Sequence, residues 1–255
     1  MGRSTLQGRV ALVTGAAQGM GSSHARRLAA DGAHVVVNDR VPSAALDALA
    51  DEIGGSVAPA DMADPDAVAR MVGEVRDRHG RLDVVVSNHA YMTMARLLEH
   101  DPDDWWRVVD TNLSGTFHLV REAVPVMRAT GGGRVVVIAS EWGVIGWPEA
   151  TAYAASKAGL ISLVKTLGRE LAPEGIIVNG VAPGVTDTPQ LLVDAEAAGV
   201  PLDEMHRRYA ADIPIGRIGR PEEISAAVSL LCDFRLSSMV GQIVQVNGGT
   251  TRSRA

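Results

Sequence analysis

The chain has 255 residues, 46% of them apolar and 21% charged, with a formal net charge of −6. That length suits one large α/β domain whose core needs neither disulfide nor metal. The acidic balance argues against a general nucleic-acid binder, and the short basic tail with Arg252 and Arg254 is too small to reverse it.

The N-terminal MGRSTLQGRVALVTG lacks the apolar core and small-residue cleavage site of a secretion signal, and Leu6 stands where myristoylation needs Ser or Thr. No window approaches the ~18 unbroken apolar residues of a membrane span. A cytoplasmic protein without a membrane partner is expected. Val10–Gly15 (VALVTG) reads as a first strand, continuously apolar as in a parallel sheet covered on both faces. TGAAQGMG then opens a helix, and Gly15, Gly19 and Gly21 let the backbone approach a phosphate held by helix N-terminal amides. Gln18 and Met20 lie within this loop and are candidate contacts too. Glycines also serve ordinary turns, so the place between strand and helix carries the reading. Asp31-Gly32 stops the helix. The second strand, His34–Asp39, ends 24 residues after Gly15 on Asp39, where a carboxylate accepts hydrogen bonds from an adenosine ribose and repels a 2′-phosphate. Arg40 follows and could tolerate that phosphate, but the rule favours NAD over NADP.

Ser56–Ala60 reads as the third strand, and Asp61 and Met62 beyond it are placed to meet an adenine ring, although an Asp at a turn needs no ligand. A helix closed by His79-Gly80 leads to the fourth strand, Asp83–Asn88, which ends in Asn88. In DPDDWW, Asp101 caps a helix, Pro102 takes its first position, and Asp103 and Asp104 suit the positive end of the dipole. TNLSG (Thr111–Gly115) precedes the fifth strand, Arg134–Ser140. In TAYAASKAG, Tyr153 and Lys157 stand four positions apart, on one face of a helix whose stripe is Leu160, Leu163, Val164, Leu167 and Leu171. The pair suits either a core Tyr beside a solvated Lys or a phenol whose proton a cation loosens. After the sixth strand, Ile176–Gly184, the poorly regular segment 186–219 contains Pro189, Pro201 and Pro214 and breaks the alternation, as a substrate lid or a surface excursion would. Cys232, in the apolar helical run AAVSLLC, has no second cysteine to bridge and reads as a buried, inert thiol. Ile243–Gly249 is the seventh strand. With no repeat or linker, residues 1–255 are expected to form a single α/β domain around a doubly wound, Rossmann-type, seven-stranded parallel sheet.

The glycine loop, TNLSG, Ser140, the Tyr153/Lys157 pair and VNGG (Val246–Gly249) follow one another in an order that resembles the short-chain dehydrogenases/reductases, from Val10 to Gly249. The resemblance implies a catalytic tetrad of Asn112, Ser140, Tyr153 and Lys157. A free phenol ionises near pH ~10, and a neighbouring ammonium lowers that value, which suits a general acid/base. On this resemblance Tyr153 exchanges a proton with an alcohol or ketone, and Lys157 poises it and holds the nicotinamide ribose. Ser140 fixes the substrate oxygen, and Asn112 anchors a water that relays protons to Lys157. The stretch from Pro183 to Thr188 is similar to the segment that meets the nicotinamide, with Val185, Thr186 and Thr188 as contacts. Taken singly, Ser140 also reads as a capping residue, Asn112 as a helix or turn residue and Pro183-Gly184 as a plain turn. The family's Asn-Asn-Ala-Gly is replaced by Ser87, Asn88, His89 and Ala90. His89 is either a site histidine that titrates near neutrality or a packed variant, and Ala90 takes left-handed angles less freely than Gly. The seven histidines have no metal-ligand spacing, so no metal is expected.

Tyr91, Met92, Met94, Trp142, Trp147 and Leu191–Leu192 are candidates for the substrate pocket, with Ser140 and Tyr153 at its reacting end and Glu141 as its one charge. The resemblance implies an oxidoreductase transferring hydride to or from NAD(H), and such a lining predicts a medium-sized, largely apolar secondary alcohol or ketone as its substrate. One alternative is a 3-oxoacyl thioester reductase, and another a non-catalytic dinucleotide-binding regulator. Relatives serving an acyl carrier protein present arginines where Gly131 and Glu174 stand here, and a negative side chain disfavours docking an acidic protein. The resemblance further implies a homo-oligomer, commonly a tetramer, with a small molecule as substrate.

Overall fold

The computed structural model describes residues 5–251, so Arg252 and Arg254 lie outside it. Val10–Val13 (β1), His34–Val37 (β2), Ser56–Val57 (β3), Val84–Ser87 (β4), Gly133–Ile138 (β5), Ile176–Pro183 (β6) and Ile243–Val246 (β7) form one sheet. Its order is β3-β2-β1-β4-β5-β6-β7, with every neighbouring pair parallel. Strands β1, β4, β5 and β6 are buried along their whole length, which is why their sequences run apolar without alternation. Strand β3 is shorter than the expected Ser56–Ala60, because Pro59 has no N–H to give to a ladder.

Helices Gly19–Ala30 (α1), Ala44–Ile53 (α2), Pro65–His79 (α3), Pro102–Val109 (α4), Gly115–Ala129 (α5), Trp142–Ile145 (α6) and Thr151–Leu171 (α7) alternate with the strands. Gln190–Ala197 (α8), Leu202–Ala211 (α9) and Pro221–Cys232 (α10) follow β6. Successive strand residues point to opposite faces, so each strand feeds two cores. On one face Leu12, Val85, Val135 and Val178 pack with Met71 of α3, Leu119 of α5 and the Leu160/Val164 stripe of α7. On the other, Val13, Val86 and Val136 pack with Leu28 of α1, Leu46 of α2 and Val228 of α10. Burial pushes the Cys232 thiol above its ordinary range, which leaves it an inert core residue.

The helix ends follow their local chemistry. Asp101 accepts the Asp103 N–H at 2.8 Å to start α4, and Gly80 closes α3 at φ 70°. Helix α4 continues through a π-helical turn, Asp110–Ser114, into α5; Asn112 lies in that turn. At the opposite end of the sheet, buried Asp83 accepts from Val10 N, Arg9 and Arg81 at 2.9, 2.8 and 2.6 Å, which ties β4 to β1.

The segment 186–219 is more regular than expected. Pro189 and Pro201 precede α8 and α9 instead of interrupting them, so two short helices form. Leu191, Ile213 and Ile218 give the insertion a small core of its own, and a Thr186–Gly219 bridge joins its ends. Among the described residues no helix is long and apolar enough to cross a membrane.

Candidate active site

Strand order reverses between β1 and β4, and α/β sheets bind ligands outside the C-terminal strand ends at such a switch point. A cleft of about 400 Å³ opens there, lined by Gly15, Gln18, Gly19, Met20, Gly21, Asp39, Asp61, Met62, Asn88 and Thr188. Gly15 and Gly19 take φ 62° and 56°, and a Cβ on Gly21 would overlap the Gly15 carbonyl. The Asn88 amide donates to the Thr14 and Gly15 carbonyls at 3.0 and 3.1 Å, stapling the end of β4 to the glycine loop. Asp39 spans the loop's other side, accepting from Ala17 N at 3.0 Å and Arg40 N at 2.7 Å. Glycine backbone at a helix N-terminus faced by a carboxylate fits the pyrophosphate and adenosine ribose of a dinucleotide.

Asn38, Arg40, Ala90, Tyr91 and Arg107 also line this cleft; the sequence reading missed Asn38 and Arg107 and had placed Tyr91 with the substrate. The Arg107 guanidinium lies 4.5 Å over the Tyr91 ring, a pairing that needs the α4 fold to be seen. His89 does not titrate near neutrality. It is 8% exposed, its Nδ1 stands 2.8 Å from Thr14 Oγ1, and burial pushes it down to about 3. Gly115 makes room for it, since a Cβ there would come within 3.0 Å of His89 Nε2. Ala90 takes no left-handed angle; among the described non-glycine residues only Glu149 does, at φ 64°.

A second hollow of about 220 Å³ adjoins the first, lined by Ser140, Glu141, Trp142, Tyr153, Met92, Val185, Thr186 and Leu191. The Ser140 hydroxyl stands near the Tyr153 phenol and favours its ionised form, and Trp142 N–H donates to Ser140 Oγ at 3.1 Å. Trp142 meets the Tyr153 ring edge-on at 5.9 Å between centroids. Trp147 does not line this pocket. It stacks on Trp142 at 5.0 Å and is 37% exposed. Leu192 points to solvent, because α8 turns Leu191 inward, and Met94 lines a neighbouring groove instead. Pro183 lines neither hollow; its carbonyl accepts from Glu141 N at 2.9 Å. Gln190, Asp194 and Tyr209 of the insertion do line the pocket, and their helical register was not legible through the prolines.

The ammonium–phenol relation differs from expectation. Lys157 is 1% exposed, and its Nζ donates to the Ile138 carbonyl at 2.8 Å, 5.4 Å from the centre of the Tyr153 ring. Burial pushes the amine down to about 7 and the phenol up to about 12, the Ser140 hydroxyl pulling the phenol only partly back. The phenol is therefore not lowered here: desolvation of two neighbouring groups outweighs an amine committed to a backbone carbonyl. Asn112 is also committed otherwise than expected. Its Oδ1 accepts from Tyr91 N at 2.7 Å, and its Nδ2 donates to Tyr91 O and to Ser156 Oγ, both at 3.0 Å. Ser156 in turn donates to the Tyr153 carbonyl at 2.8 Å, so the Asn112 side chain ties the π-turn to the Tyr91 loop and to α7. Among the described residues no group of three or more His, Cys, Asp or Glu is placed to hold a metal ion.

The sequence is similar to those of known proteins. A family described as Enoyl-(Acyl carrier protein) reductase matches residues 15–251. A 3-oxoacyl-[acyl-carrier-protein] reductase FabG from Thermotoga maritima is 36% identical over 250 residues, covering 96% of this chain and 98% of the relative. The enzyme of that name from Staphylococcus aureus is 36% identical over 246 residues, with 94% and 96% covered. A cis-4-hydroxycyclohexanecarboxylate dehydrogenase from Sinomonas cyclohexanicum is 38% identical over 247 residues, with 95% and 96% covered.

Proposed function

This chain belongs to the short-chain dehydrogenase/reductase family, as an NAD(P)-dependent oxidoreductase of CH–OH and carbonyl groups, and we propose that it reduces a 3-oxoacyl thioester with Tyr153 as general acid. The bound nicotinamide dinucleotide would supply the hydride. The glycine loop, Asp39, Asp61, Met62, Asn88, Thr188 and the backbone of 185–186 would hold that dinucleotide. Ser140 and Tyr153 meet the oxygen of the substrate. The observation that carries this reading is that Ser140 and Tyr153 stand together in the wall of a pocket beside the dinucleotide-sized cleft. A phenol near 12 keeps its proton at neutral pH, and an oxyanion developing on a carbonyl is basic enough to take it. Lys157, charged below about 7, favours the phenolate that remains.

The names of the relatives support the thioester reading over the free, largely apolar ketone that the sequence alone suggests. Free secondary alcohols remain a second reading on one observation. A groove of about 670 Å³ beside the pocket is lined by Glu99, Asp101, Asp104, Glu149 and Asp194, and Glu174 is paired with Arg128. Such a surface repels an acidic carrier protein. NADH-coupled turnover of an acetoacetyl thioester, set against oxidation of cyclohexanol with NAD, separates the two. Faster alcohol oxidation would replace the first reading with the second.

NAD is the preferred dinucleotide on this reading, because the Asp39 carboxylate faces the place of a 2′-phosphate. Asp39→Ser is expected to shift the NADH-to-NADPH ratio of kcat/KM toward NADPH by at least about tenfold; an unchanged ratio removes Asp39 from the account. Cytoplasmic location and a homotetramer complete the proposal. Trp106 and Phe117 are exposed on α4 and α5, as an interface requires, and light scattering after size exclusion measures the assembly.

A further inference from the structure

Glu141 follows Ser140 directly and is 3% exposed, in the wall of the pocket that holds Ser140 and Tyr153. Its backbone fixes it there. Its N–H donates to the Pro183 carbonyl at 2.9 Å, and its own carbonyl accepts from Val144 and Ile145 at 2.8 and 3.0 Å. The Val185 backbone and the Asn247 side chain stand near its carboxyl group and favour the ionised form, against the larger effect of burial. Oε2 is buried and without a hydrogen-bond partner, beside Gly184, where a Cβ would come within 3.2 Å of it. When neutral, the group carries one O–H donor. Burial pushes this carboxyl up to about 7.

A neutral carboxyl donates a hydrogen bond, and one without an acceptor in the protein is arranged for an acceptor on a ligand. We propose that Glu141 is a specificity-determining residue whose neutral carboxyl group donates to a second carbonyl oxygen of the substrate, beside the carbon served by Ser140 and Tyr153. The substrate class is then a 3-oxoacyl or other 1,3-dicarbonyl compound, distinguished from a ketone with a single oxygen. This rests on the reading of the pocket as the substrate site of an oxidoreductase. Ionised Glu141 has no proton to donate and sets its lone pairs against the carbonyl oxygen, so the preference fades as pH rises through about 7. The titratable groups around the same pocket are Tyr153 on α7, Asp194 on α8 and Tyr209 on α9, with Lys157 behind, held by Ile138. Lys157 also changes charge near 7, but it acts on the reacting oxygen of either substrate class, so a ratio between two substrates cancels its contribution.

The test compares the acetoacetyl thioester of N-acetylcysteamine with cyclohexanone, as the ratio of their kcat/KM values, near pH 6 and near pH 8. In the wild type the ratio is expected to fall about tenfold across this range, the worth of one charge-sensitive hydrogen bond. Glu141→Gln, whose amide donates at either pH, should give a pH-independent ratio. Glu141→Val should lower the ratio about tenfold at the acid end. A Glu141→Val ratio equal to that of the wild type, or a wild-type ratio indifferent to pH, overturns the proposal. Calorimetric titration of both compounds onto the wild type with its dinucleotide reads the same preference without turnover. A pocket that binds the thioester with this pH dependence but turns over neither compound would refute the reaction and keep Glu141's role. One that binds neither refutes that role as well.

Discussion

At Tyr153 and Lys157 the same cause acts in opposite directions, burial raising a phenol to about 12 and lowering an amine to about 7. The amine's folded-state value lies below its unfolded one. Folding therefore grows more favourable as pH rises from about 7 toward the ordinary lysine range, and the penalty is fully present below about 7. Lys157→Met removes a buried cation at the cost of one hydrogen bond to Ile138. It is expected to raise Tm by a few degrees at pH 6 while abolishing turnover. Scanning calorimetry with a turnover assay checks this, and a lowered Tm would show that the ammonium stabilises the fold. His89 and Asn112 act in the same neighbourhood through hydrogen bonds alone, as a neutral ring packed on Thr14 and an amide bridging two loops to α7.

At the scale of elements, the glycine loop and the π-turn position the site, and the two were unequally legible. Gly15, Gly19 and Gly21 announce a close backbone approach by their type and place. Gly21→Ala would drive a methyl into the Gly15 carbonyl, and it is expected to weaken dinucleotide binding at least about tenfold and to lower Tm. Fluorescence titration with NADH measures the first effect, and unchanged affinity would mean that the loop does not hold the cofactor. The π-turn at Asp110–Ser114 left no mark in the sequence, because Asn112 and Thr111 are ordinary helix residues until tertiary contacts widen the turn. Helices α8 and α9 were hidden by prolines that read as breakers but occupy helix starts. Trp147 was misplaced for a related reason: aromatic character names a partner, here Trp142, without naming a cavity.

For the whole molecule, the seven parallel strands and their alternation with helices were legible, since burial on both faces leaves Val-rich runs that nothing else explains. Register was not, because a continuously apolar strand looks the same in every alignment with its neighbour. Part of that register is fixed by Asp83, which holds Val10, Arg9 and Arg81 at the sheet's lower end. Those partners keep its carboxyl below the usual range, so its contribution persists at neutral pH and is lost as pH falls through the folded-state value. Asp83→Asn is expected to cost about 3 kcal/mol at neutral pH, measured by urea unfolding, because two arginines lose a buried partner. A loss near zero would leave register to packing alone. The account as a whole depends on the Tyr153 phenol delivering a proton beside a bound dinucleotide. Its most direct test is Tyr153→Phe, assayed for NADH-coupled reduction of the acetoacetyl thioester alongside NADH affinity. Turnover is expected to fall at least about a hundredfold with affinity kept within about twofold. Turnover within a few-fold of the wild type would contradict the account.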